Sequence, residues 1–283
     1  MRGTFIHLYF GDEFCENKIP PLPSLRKHYA LCNETGLRLM FATPPVTDHG
    51  LEKLKKLFKY LNGLKEEIEV VINDFGVLNL IKKGYPYLRP VLGRLMNKMI
   101  RDPRITPAYT TNNAPPDALL SLQQYGSLRY YRLLKKFAVK TVEVDNFHQG
   151  INIDFKGLGL KPSIHLPFGF VTTGRVCLFS SAMKDKKEKF LYAACCRREC
   201  DDYFGELKGN HARLIQKGNT IFYFQEEGMT EKGLNWAAEN GALMICKPRL
   251  FSDVAYTTED AVTARSILKG DYNARSKIIH EKD

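Results

Sequence analysis

Hydrophobic and polar positions follow two rhythms over the first 145 residues of this chain. Short β-branched or aromatic runs at 5–10, 37–42, 68–72, 87–92 and 140–144 read as strands, and stretches of helical period separate them. Further strand-like runs lie at 161–166 and 243–247. Leu51, Leu54, Leu57, Phe58 and Leu61 fall on one helical stripe, while Lys53, Lys55, Lys56 and Lys59 lie off it as a solvated face. A second helix over 117–137, interrupted near Tyr125 and Gly126, offers Leu119, Leu120, Leu133, Leu134 and Phe137 to a core. A third covers 230–239 and carries Trp236 as a packing residue. Strands alternating with helices in this way predict βα units and a parallel sheet.

The rhythm stops after Leu166. Residues 167–218 show no clean period, include the charged run 184–189, and hold four of the seven cysteines. A loop that long inside a compact domain is functional or disordered. There is no internal repeat, low-complexity tract or linker, so the simplest account is a single α/β domain over 1–255 with a cysteine-bearing insertion at about 167–218. Residues 256–283 then form a polar, basic, peripheral tail.

Composition adds three constraints. The chain has 283 residues, 44% of them hydrophobic, enough for a large core and within the size of one α/β barrel of roughly 250 residues. The start has a short apolar stretch broken by His7, and no apolar run approaches the roughly 18 residues of a membrane span, which predicts a cytoplasmic protein with reduced thiols. A net charge of +11 suits an anionic partner such as a nucleic acid, a carboxylate or phosphorylated substrate, or an acidic lipid surface.

Odd in number and without a secretory leader, the cysteines argue against a disulfide framework. Cys195, Cys196 and Cys200 lie within six residues, flanked by Arg197, Arg198, Glu199, Asp201 and Asp202, and Cys177 precedes them. Thiolates so placed hold zinc or an iron–sulfur cluster once the fold brings up further ligands. The alternative, burial as small hydrophobes, is hard to justify among so many charges. Cys32 and Cys246, on a helix and a strand, read as core.

Five strings carry a resemblance. IHLYFGDEFC at 6–15 is similar to the early strand, glycine, acid and cysteine run of the UbiV-like proteins. EVVINDFGVLN at 69–79 is similar to their Asp-x-Gly-Val-x-Asn segment, and GRVCLFS at 174–180 to the Arg and Cys signature of the collagenase-like peptidase superfamily. NTIFYF at 219–224 and KPRLF at 247–251 resemble the remaining elements, so the likeness runs in order over residues 4–253. The chain thus resembles the UbiV-like members of that superfamily (unassigned peptidase family 32).

The resemblance implies a modified (β/α) TIM-like barrel and a four-iron four-sulfur cluster on Cys15, Cys177, Cys196 and Cys200, with Cys195 as neighbour or as substitute for Cys196. It implies oxygen-independent hydroxylation of a quinone precursor in ubiquinone biosynthesis, as a heterodimer with a UbiU-like partner, with prephenate as oxygen source. Other members hydroxylate a pyrimidine in tRNA or rRNA. A non-catalytic subunit stabilised by a cluster or by zinc is a further alternative. The family has a strand and helix ahead of the strand ending at Cys15, which this chain lacks, so a partner or another segment fills the gap or the barrel is open. Proteolysis is the weakest reading, since no Gly-x-Ser-x-Gly or His-Glu-x-x-His motif is present.

Candidates for chemistry follow from position. Arg175 and Arg249 offer guanidinium forks for a carboxylate. Asp74, Glu143, Asp145 and His148 lie at strand ends, where barrels keep their chemistry. His165 lies on a strand before the signature, as a core histidine or a functional one. Asp12 and Glu13 beside Cys15 tune a cluster or cap a loop. Arg129, Tyr130, Tyr131, Arg132, Lys135 and Lys136 interleave basic and aromatic groups as an RNA surface would; the alternative is an amphipathic helix.

Overall fold

A computed structural model describes residues 5–97, 99, 101, 127–181, 184–185, 187–188, 196–207, 213–247, 254–270 and 278–279. Strands β1 (His7–Gly11), β2 (Arg38–Thr43), β3 (Ile68–Ile72), β4 (Leu88–Leu92), β5 (Thr141–Asp145) and β6 (Lys161–Leu166) pair in parallel, and β6 pairs in parallel with β11 (Leu243–Cys246). The barrel closes through β12 (Val254–Thr258), which runs antiparallel to both β11 and β1. Helices α1 (Leu22–Thr35), α2 (Asp48–Gly63), α3 (Phe75–Gly84) and α4 (Leu128–Lys136) belong to the βα half.

Period-two alternation sorts side chains between two cores. Outward residues such as Phe41, Val70, Val142, Ile164 and Met244 meet the helices, while Tyr9, Met40, Ala42, Val71, Val91, Leu243, Ile245 and Ala255 fill the barrel. Leu54, Leu57, Phe58 and Leu61 of α2 are buried at helical spacing, and the Thr47 hydroxyl caps the helix by accepting from the Gly50 amide. Cys32 and Cys246 are buried in the outer core.

Two expectations change here. Within 167–218, described residues form β7 (Phe168–Thr173), the helical turn α5 (Leu178–Ser181), β8 (Phe204–Leu207) and β9 (Leu214–Lys217); β10 (Thr220–Phe224) follows. With β13 (Ile278–Ile279) these strands make a five-stranded sheet in the order β13-β8-β9-β10-β7. The pattern hid them because Phe170, Phe204, Ile215 and Phe222 build a small core of their own from short, irregularly spaced strands. Nor is 256–283 peripheral as a whole: Tyr256 to Thr258 complete the barrel wall, α7 (Ala261–Gly270) packs beside β11 and β12, and β13 pairs with β8. β12 lies between β1 and β11, so neither is an open edge.

The helix expected over 117–137 is described from 127 onward. In α4, Tyr130 and Leu134 are buried while Arg129, Arg132, Lys135 and Lys136 face solvent, the arrangement of an amphipathic helix. The third helix is α6 (Glu227–Asn240), whose Trp236 ring meets Phe155 edge-on at 6.1 Å.

Candidate functional site

The carboxyl ends of the barrel strands open into a cavity of about 210 Å³. Gly11 turns the chain off β1 at φ +119, where a Cβ would strike the Ala42 carbonyl. The Asp12 carboxylate then accepts hydrogen bonds from the Phe14 and Cys15 amides, both at 2.8 Å, which aims Cys15 at the cavity. Burial works against the charge on Asp12, but Lys18 and those two amides outweigh it and hold its pKa below the ordinary value. Asp12 is therefore the loop cap, while Glu13 joins a polar cluster described below.

Cys177, at the start of α5, and Cys196 and Cys200, around a 3-10 turn (Glu199–Asp201), line the same cavity. Gly218, at φ +59, lies against two of these sulfurs: a Cβ there would stand 3.3 Å from Cys200 Sγ and 4.0 Å from Cys177 Sγ. Four cysteines from three separate stretches thus line one cavity. Burial and then Asp12 push the Cys15 thiol up to about 12, and burial pushes Cys200 up to about 11. Such thiols need a bound cationic centre to become thiolates. Cys195 and Arg249 lie outside the described residues.

Lys18, Lys217 and Lys247 line the same cavity. Burial, then the charge of its neighbours Lys247 and Lys18, holds Lys217 well below its ordinary pKa, and burial with Lys18 lowers Lys247. Lys18 is held as an ammonium and the other two lysines are strained as cations by burial and by one another, so an occupant of negative net charge would relieve all three.

The barrel side of the cavity holds the polar cluster. Arg94, from the 3-10 turn Arg94–Met96 after β4, donates from Nε and Nη2 to the two oxygens of Glu13 at 2.9 and 2.7 Å, and from Nη1 to Asp145 at 2.6 Å. Arg101 Nε donates to the other Asp145 oxygen at 3.3 Å. Asn73, at the end of β3, accepts from the Leu95 amide and so fixes the turn that carries Arg94. His165 Nε2 lies 3.0 Å from Glu143 Oε2, and the Tyr9 hydroxyl donates to that same oxygen at 3.4 Å. All these acidic groups, with Arg94 and His165, are buried.

The structure therefore brings Glu143, Asp145 and His165 together and sets Arg175 on the exposed cavity rim. Asp74 instead caps α3, accepting from the amides of Gly76 and Val77. His148 is exposed, with its ring 5.8 Å from that of Tyr223, away from the cavity lining. Tyr9, Arg94, Arg101, Lys217 and Lys247 were not among the sequence candidates. Arg94 was within reach of the strand-end rule, two residues past β4; Lys217 was not, because its strand has no visible period.

No family model matches the chain, and neither a curated protein nor a solved structure matches it significantly.

Proposed function

We propose that this protein is an iron–sulfur protein of an oxygen-independent hydroxylation, acting on a ubiquinone-type precursor together with a second member of the same superfamily. One observation carries the reading: Cys15, Cys177, Cys196 and Cys200, the set the resemblance implies, line a single cavity at the carboxyl end of the barrel.

The donor set suits a cluster better than zinc. A tetrahedral zinc with bonds of about 2.3 Å crowds its sulfurs within about 4 Å of one another. Among the described residues, the group of three or more ligating atoms gathered within 4.8 Å of one another is Glu13, Glu143 and His165, so no three of the four sulfurs are drawn that close together. A four-iron cluster held by four thiolates carries negative net charge and supplies one-electron chemistry. Lys18, Lys217 and Lys247 would balance that charge, while Arg175 at the rim would meet an anionic substrate and the Arg94 cluster would fix the barrel side of the cavity.

Anaerobic purification, visible absorption, and iron and sulfide analysis test the reading. Single Ala variants of Cys15, Cys177, Cys196 and Cys200 are expected to lose the cluster, and those of Cys32 and Cys246 to keep it. A colourless protein with stoichiometric zinc refutes it.

A further inference from the structure

The polar cluster has a charge imbalance that geometry resolves. It holds three carboxyl groups, Glu13, Asp145 and Glu143, and two guanidinium groups, Arg94 and Arg101. Both oxygens of Glu13 bond to Arg94, and the two oxygens of Asp145 bond one each to Arg94 and Arg101. Glu143 bonds to neither guanidinium. Its Oε2 meets Tyr9 and His165, and its Oε1 is buried without a hydrogen-bond partner. These five groups carry one carboxylate in excess, and a proton held on Glu143 or on the adjacent His165 removes it.

We propose that Glu143 and His165 form a proton relay at the barrel side of the cavity, with Glu143 storing the proton and His165 passing it to or from a bound substrate. Glu143, wholly buried, sits behind His165, which lines the cavity. The groups facing Glu143 are Tyr9 from β1, Glu13 from the loop after it, Arg94 from the turn after β4, Asp145 on its own strand and His165 on β6. Burial, then the nearby Arg94 and Lys247, hold the His165 imidazole well below its ordinary pKa and so favour its neutral form.

In the forward direction the Glu143 O–H bond breaks as its proton passes to His165 Nε2. The imidazole N–H bond at Nδ1 breaks as that proton reaches a basic atom of the substrate. Glu143 ends as a carboxylate, the imidazole ends neutral in its other tautomer, and the substrate has gained one proton. No electron changes hands, and the reverse sequence removes a proton from the substrate. The relay does not depend on what the cysteines hold.

Infrared spectroscopy of the full chain tests it without a substrate. The wild type should show a protonated-carboxyl band at neutral pH, and Glu143→Gln should lose it. On transfer to D2O the band should shift, and His165→Leu should slow that shift by about tenfold or more. If His165→Leu does not fold, His165→Gln serves in its place. A missing band, a band that survives in Glu143→Gln, or an exchange rate indifferent to His165 overturns the proposal. So does binding of one Mn(II) per chain that Glu143→Gln abolishes, since Glu13, Glu143 and His165 would then be metal ligands.

Discussion

Glu143 is the side chain whose environment departs most from that of a solvated carboxyl. Burial and the nearby Glu13 push its pKa well above the ordinary range, with Arg94 pulling the other way. Above about pH 4.3 the unfolded chain releases this proton and the folded chain keeps it, so the group costs stability as pH rises toward neutrality. Glu143→Gln removes that cost. Its stability relative to wild type should therefore improve steadily from acid to neutral pH in urea unfolding, and a difference independent of pH contradicts the assignment. Arg94 presents the opposite case. Glu13 and Asp145 outweigh the cost of its burial and raise its pKa well above the ordinary value. Arg94→Met leaves two buried carboxylates short of their partner, and a loss of about 3–5 kcal/mol is expected by the same measurement.

Among the elements, β12 has the widest consequence. It bonds β1 on one side and β11 on the other, joining the first strand of the barrel to the last of the parallel set. Thr257 on β12 also receives the His7 amide and lies 2.7 Å from His7 Nδ1. Truncation after residue 253 would expose two strand edges and the barrel interior. It is expected to abolish the cooperative unfolding transition seen by circular dichroism; a truncated chain that still unfolds cooperatively would show the barrel to be stable open. The 3-10 turn carrying Arg94 is a smaller element with a similar logic, since its placement by Asn73 decides where a guanidinium enters the cluster.

Across the whole molecule, the cavity lies where the barrel meets the second sheet. Phe14 from the barrel loop packs against Phe170 and Phe222 at 5.3 and 5.4 Å, Asn219 donates to the Phe14 carbonyl, and Tyr223 donates to the Asn146 carbonyl. Cys15 belongs to the barrel side, whereas Cys177 and Cys200 belong with the second sheet. A cluster spanning them would tie the two sheets together. Its removal should raise amide exchange in 168–173 and 214–224 while β2 to β4 keep their protection. Equal protection with and without the cluster would show that aromatic packing alone holds the junction.

Most of the barrel was legible in the sequence because each parallel strand is a β-branched or aromatic run, and the intervening stretches carry helical period most clearly in α2, while α1 and α3 were not singled out as helices. Strands β3 and β6 fall at the predicted limits, and α2 presents the predicted stripe. The second sheet was not legible, because strands of two to six residues built around four buried aromatic and aliphatic side chains leave no period to read. Strand ends marked Glu143 and Asp145 as chemistry-bearing, and His165 was open to either role. Local sequence could show only that thiols and acids were present. Their convergence, the pairing of Arg94 with two carboxylates, and the third carboxyl left without a cation are set by barrel closure. Closure brings residues 13, 94, 143 and 165 to one end of the strands, and their pairing is a matter of distance that no local window contains.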